Sequence, residues 1–333
     1  HLMIGSESAC EGYLVGEVHQ GLKYMFQMMN EARLGVGMNA TAIATAAFQT
    51  SLEYAKVRPQ GRNLNDKEPH RPQIPIIQHA DVKRMLLFQK SITEGSLALL
   101  IYCGLLADKI SQETDSKNKI EMESLLDLLT PIAKSYPSEM GLQSTSMAIQ
   151  ILGGAGYTTD FPVEQYYREA RIHPIHEGTT GIHGLDLLGR KLLLHEGLGW
   201  KMLQKEFQST LKEAQPLPEL GEIALTFEKY VQEFASGTAH LLFKRNQGPD
   251  YFLADATLFL EGAGLLCMGW IWLKQAITAQ KAINQGSNEQ NFHLGKIETA
   301  RYTVAYELTK LNGILERFAS TQYPTLDMKT DWF

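Results

Sequence analysis

Glu177 is the residue of this chain best placed to do chemistry. It stands in His176-Glu-Gly-Thr-Thr-Gly-Ile-His183, directly before a glycine and two hydroxyls, and an apolar helical pattern follows from Ile182 to Leu194. That order puts a carboxylate at or near a helix N-terminus, where free N–H groups and the helix dipole favour negative charge. A carboxylate beside exposed N–H donors can act as a general base next to an oxyanion site. The commoner use of such a glutamate is as a helix cap. Upstream, Gln150-Ile-Leu-Gly-Gly-Ala-Gly-Tyr157 is an apolar helical run that stops on three glycines. Glycine there permits a left-handed cap and close approach of a backbone or ligand, although Gly-Gly-x-Gly alone is usually a turn. His173, His176 and His183 crowd the same stretch. No cysteine or carboxylate partner falls at a metal-like spacing, so satisfied or solvated histidines are expected, and no metal.

The elements that position these residues read as helices. Over 21–58, apolar residues recur at three- and four-residue steps: Leu22, Met25, Phe26 and Met29, then Leu34, Met38, Ala42 and Ala46. The methionines of this stripe, Met28 included, are expected to pack in the core. Arg33 lies within the pattern, and Arg58 closes it just before Pro59. Residues 63–75 are polar, carry three prolines and read as a loop. A second helix is expected over 77–112, with Leu97, Leu99, Leu100 and Leu105 inward. A third is expected over 120–152, kinked or split by Pro131 and Pro137. A short helix over 162–171 and another over 178–195 complete a four-helix up-down bundle with one capping helix. Residues 208–218, with Pro216 and Pro218, read as a linker. Beyond it, helical patterns cover 219–235, 237–242, 250–285 and 294–318, with Met268, Trp270 and Trp272 expected in a buried core. The fold class is therefore all-α: a four-helix bundle, then a second helical bundle, with a short extended remnant over 1–20.

Composition narrows the function. The chain has 333 residues, enough for two domains, and a net charge of −6 with Lys and Arg scattered, which argues against nucleic acid. Cys10, Cys103 and Cys267 are odd in number and far apart, so neither a disulfide framework nor a metal site is expected, and a reduced cytoplasmic compartment is. No membrane span is expected, because the longest apolar run, over 97–106, is short and interrupted by Tyr102, Cys103 and Gly104. The sequence opens on His1, with its first methionine at position 3, as a tag remnant or a piece of a longer chain would.

The region 150–190 resembles the C-terminal signature of the acyl-CoA dehydrogenases. In that family Q-I-x-G-G-x-G-Y/F precedes P-V-E-x-x-x-R-x-A/D-R/K and then E-G-T. Here the run from Gln150 is followed by Pro162-Val-Glu-Gln-Tyr-Tyr-Arg-Glu-Ala-Arg171 and by Glu177-Gly-Thr, without a gap. Glu177-Gly-Thr-Thr-Gly-Ile, with Leu185-Asp-Leu-Leu-Gly-Arg-Lys191, is similar to the branch with an extra C-terminal helical domain, which includes 3-methylmercaptopropionyl-CoA dehydrogenase-like enzymes. The resemblance implies that 1–20 is the tail of a β domain, 21–207 the family's C-terminal bundle and 219–333 the extra domain. It implies FAD as cofactor, an acyl-CoA thioester as substrate, an electron-transfer flavoprotein as redox partner and a homodimer or homotetramer. Glu177 then corresponds to the base and Arg33 to an arginine beside it. Arg58 corresponds to a contact with the FAD diphosphate of a neighbouring subunit, Gln150, Gly153 and Gly154 to the adenosine end, and Thr179 to the flavin side. His176 stands where the family often has Tyr, Gly181 where many members have Gln, and Gly61-Arg62 where Phe-Gly is common. Since the domains that grip the flavin ring lie outside this sequence, the chain by itself is expected to be inactive. The rival from another class is a non-catalytic helical oligomerisation module with Glu177 as a cap. A di-iron bundle would need paired Glu-x-x-His motifs, which the sequence lacks.

Overall fold

The computed structural model describes residues 1–63 and 70–333, and of Lys23, Phe26 and Gln27 the backbone only. Of the loop expected over 63–75, residues 64–69 lie outside the described residues. Among the described residues no strand occurs, and Pro59 and Pro75 form an isolated antiparallel bridge.

Three long helices make the first bundle: α1 (Gly21–Val57), α2 (Ala80–Gln112) and α3 (Ser116–Leu152). α1 stops because Pro59 forces the residue before it out of helical geometry, and Arg58 is extended at φ −76°, ψ 113°. The Pro59–Pro75 bridge returns the chain to the end it left, so α2 runs back along α1. A short turn over 113–115 then leads into α3, whose first turn is capped by the Asp115 carboxylate accepting from the Asn118 N–H at 2.8 Å.

α3 is one element despite Pro131 and Pro137. Pro137 has no N–H to give the Ala133 carbonyl one turn back. That carbonyl faces Gly37 of α1, where a Cβ would sit 2.2 Å from the oxygen, so α1 and α3 cross as closely as two backbones can. Two short helices, α4 (Val163–Ala170) and α5 (Thr180–Gly189), follow, and α6 (Leu198–Ala214) runs back against α3. The expected linker over 208–218 is thus mostly helix: α6 continues to Ala214, with Phe207 and Ala214 buried.

The second bundle holds α7 (Gly221–Lys244), α8 (Pro249–Leu253), α9 (Ala256–Asn284), α10 (Gln290–Tyr302) and α11 (Leu311–Ala319), with a π turn over Thr303–Glu307 between the last two. α7 is continuous across the break expected after residue 235. α9 is apolar around most of its circumference because it is buried on most sides: Trp270, Trp272 and Leu273 are fully enclosed. One contiguous core therefore runs from Phe88 of α2 through Leu129 of α3 to Phe318 of α11. By length and composition alone two helical stretches, Ala80–Gln112 and Pro249–Asn284, are long and apolar enough to cross a bilayer, a test that buried core helices also pass. The second is 83 % buried within its most apolar window, as a core helix of this kind must be.

Two other expectations fail on exposure. Met25, Met28 and Met38 are exposed rather than packed, because nothing among the described residues covers that face of α1. Leu97 and Leu105 point outward with Ile101, while Leu99 and Leu100 point inward.

Candidate functional site

Glu177 lies between α4 and α5 with φ +53°, a left-handed conformation that a non-glycine residue adopts at a cost of about 1–2 kcal/mol. Gly178 follows at φ +94°. Thr179 is the N-cap of α5, and its hydroxyl makes no capping bond. Among the described residues no α5 N–H donates to the Glu177 carboxylate, so that carboxylate is free of a capping role there. Its residue is half-buried.

The turn is held from beneath by three carbonyl contacts. Lys134 of α3 is fully buried, and its Nζ donates to the carbonyls of His173 (2.7 Å) and Gly178 (2.8 Å). His183 of α5, also fully buried, places Nε2 3.0 Å from the Glu177 carbonyl. Burial first, then the charges of Lys134 and Arg33, push the His183 pKa down to about 4. The ring is therefore neutral at physiological pH. Because a carbonyl only accepts, Nε2 carries the hydrogen, which leaves the buried Nδ1 without a partner. Burial also lowers Lys134, to about 8; Arg33 adds to the shift, and Glu139 and Glu177 oppose it.

Around this clamp sit further charges. Arg33 of α1 is buried and pairs with Asp186 of α5 at 3.4 Å, and Asp186 also accepts from Arg190 at 2.6 Å. The Thr180 hydroxyl donates to Glu139 at 2.5 Å. His173 is buried with neither ring nitrogen partnered, and burial is the main cause of its lowered pKa. It is thus neither the satisfied nor the solvated histidine expected from sequence. Among the described residues no group of His, Cys, Asp and Glu could hold a metal ion. Beside Thr180, a cleft of about 170 Å³ opens between α3, α5 and α9, with Tyr136, Glu139, Met140, Leu260 and Glu261 among its walls.

The remaining candidates lie at the other end of the bundle. At 1.5 Å per residue, Gln150 is about 24 Å along α3 from Lys134, and Arg58 about 37 Å along α1 from Arg33. Arg58 and Gln150 are exposed there. Gly153, at φ +61°, and Gly154 are exposed too, with open space where a Cβ would stand. An open glycine backbone at the same end of the bundle as an exposed arginine suits a phosphate-bearing or planar ligand. The structure thus brings Glu177, Arg33 and Thr179 together and gathers Arg58, Gln150, Gly153 and Gly154 elsewhere. Sequence reasoning missed Lys134, Glu139 and Asp186. The signal for Lys134 was available: one lysine in the buried run Leu128-Leu-Thr-Pro-Ile-Ala-Lys-Ser-Tyr-Pro137, between two prolines.

Comparison with known proteins adds the following. Residues 19–193 match the family described as "Acyl-CoA dehydrogenase, C-terminal domain", and residues 203–329 match "Acetyl-CoA dehydrogenase C-terminal like". A 3-methylmercaptopropionyl-CoA dehydrogenase of Ruegeria pomeroyi is 38 % identical over 87 % of this chain and 49 % of its own length. A broad-specificity linear acyl-CoA dehydrogenase of Mycobacterium tuberculosis is 30 % identical over 88 % of this chain and 49 % of its own. The chain spans about half the length of the curated relatives it matches. Among solved structures, Caenorhabditis elegans ACDH-11 in complex with C11-CoA superimposes with a TM-score of 0.72 at 18 % identity, over 92 % of this chain and 49 % of that one. A Bacillus anthracis acyl-CoA dehydrogenase complexed with FAD gives 0.63 at 19 % identity, over 92 % and 55 %. At that identity these two likenesses show the fold.

Proposed function

The chain belongs to the acyl-CoA dehydrogenase family, and from that premise we propose that it forms the helical part of an FAD-dependent enzyme that oxidises an acyl-CoA thioester between its α and β carbons. The observation that carries this reading is the state of Glu177: a carboxylate in a left-handed turn, gripped through its backbone and unused as a cap. In the reaction, Glu177 takes the proton from the α carbon, the β carbon gives up its hydrogen with the electron pair, and a carbon–carbon double bond forms. FAD, when bound, supplies the acceptor for that hydride. The Glu177 N–H serves to polarise the thioester carbonyl, as a preorganised donor beside the developing enolate. Arg33 holds α1 to α5 through Asp186 and so fixes the start of α5 against the turn.

FAD fits the residues present as a ligand shared between two copies of the chain. Thr179 would face the flavin of its own copy. Arg58, Gln150, Gly153 and Gly154 would hold the diphosphate and adenosine end belonging to the neighbour, which the distance between the two groups of residues supports. This implies a homodimer or homotetramer. An electron-transfer flavoprotein is the inferred redox partner. A cytoplasmic compartment is inferred from the three free cysteines.

The rival reading, a helical oligomerisation module without chemistry, draws on the exposed apolar face of α1 at Leu22, Met25 and Met28. Glu177→Gln separates the two. In flavin-loaded enzyme it is expected to lower the acyl-CoA oxidation rate about 10³-fold, within the range for loss of a general base, with the melting temperature unchanged. Full activity in that variant removes the assignment of Glu177 as base.

A further inference from the structure

The turn that carries Glu177 has two left-handed residues in succession, and one backbone bond, from the Thr180 N–H to the Pro174 carbonyl at 3.2 Å, closes it from within. That single bond spans six residues, and the carbonyls on either side of Glu177 are held from outside. Among the described residues the one fully buried ammonium that bonds it is that of Lys134, and the two carbonyls this group bonds, His173 and Gly178, bracket Glu177 on both sides. A lysine flexible in water loses its freedom here, because the α1–α3 crossing at Gly37 and Ala133 seals the segment it projects from.

We propose that Lys134 is a positioning residue for Glu177, its buried ammonium holding the left-handed turn so that the carboxylate meets the substrate's α carbon. This rests on the reading of Glu177 as base. The charged groups facing Lys134 come from every element around it: Arg33 on α1, Glu139 on its own helix, and Glu177 on the turn. His183 and Asp186 flank it on α5, and His173 lies before the turn. Arg33 and burial favour loss of its proton, whereas Glu139 and Glu177 favour keeping it. With its pKa lowered to about 8, Lys134 is an ammonium at neutral pH and passes to an amine just above it. The amine keeps two N–H groups but gives up the charge assistance that makes such bonds short and strong. Turnover should therefore fall on the alkaline side, with a limb near pH 8.

The test uses flavin-loaded enzyme with Lys134→Met and Lys134→Gln. The glutamine keeps an N–H donor without the charge, so it carries the test if the methionine variant does not fold. A displaced base predicts a kcat about 100-fold lower, the scale of a misplacement near 1 Å, with KM within threefold of the parent. The alkaline limb should vanish from the kcat profile. Hydrogen exchange at the amides of residues 175–180 should quicken by about tenfold or more, in the loaded enzyme and in this chain alone. A kcat within threefold of the parent, an alkaline limb that persists, or unchanged exchange in that segment overturns the proposal. Failure of the base reading shows separately, as a Glu177→Gln variant that retains activity, and the exchange measurement still reports on the clamp.

Discussion

The two bundles bury side chains for opposite ends. In the second, Phe234 meets Phe259 at 5.3 Å, Phe318 at 6.1 Å and Trp200 at 6.1 Å between ring centroids, while Phe207 bridges Phe227 and Trp270. Its two enclosed indole N–H groups are satisfied: Trp270 Nε1 donates to the Thr210 hydroxyl and Trp272 Nε1 to the Ser91 carbonyl, both at 2.9 Å. In the first bundle, around Lys134, two histidines and an arginine are buried with unpartnered nitrogens, and the backbone above them is left-handed. Dispersion and the hydrophobic effect reward the first arrangement at no functional gain. The second is the kind of locally unfavourable site that persists only where the surrounding structure over-determines it, and such sites concentrate at chemistry.

Substitutions can break this contrast. The largest effect on stability is expected from Phe234→Ala, about 3–5 kcal/mol by denaturant unfolding, with hydrogen exchange at residues 175–180 unchanged while the protein stays folded. A cost below about 1 kcal/mol would mean the aromatic cluster is not the stabilising region. Acid should act on the other region. His183 ordinarily titrates near 6.5 and here near 4. Between those values the unfolded chain binds a proton that the folded chain refuses, so stability falls as pH drops from 6.5 to 4. His183→Gln should flatten that part of a melting-temperature profile; an unchanged slope would place the titrating group elsewhere. The smallest effect belongs to a position outside both regions. Asp115→Ala removes the α3 cap and should cost about 1 kcal/mol, with turnover and exchange at 175–180 unaffected.

Much of this was legible in the chain itself. Periodicity located the long helices, Pro59 marked the end of α1, and the motifs over 150–190 identified the family and singled out Glu177. Met268, Trp270 and Trp272 were recognisable as core because the segment around them is apolar on every face. Where periodicity misled, the reason was that burial depends on what packs alongside, which local sequence does not encode: the methionines of α1 repeat like core residues, yet nothing among the described residues covers Met25, Met28 and Met38.

The sequence by itself determined which residues could do chemistry and which stretches would be helical, since side-chain chemistry and 3.6-residue periodicity are local properties. Only the tertiary structure decided what surrounds Glu177. Lys134 and His183 reach that turn from two helices, and their partners there are backbone carbonyls, groups identical at every residue, while Arg33 ties α1 to α5 through Asp186. No spacing along the chain reports such a contact, because the fold creates it when α1 and α3 close on each other at Gly37 and carry a buried lysine to the turn.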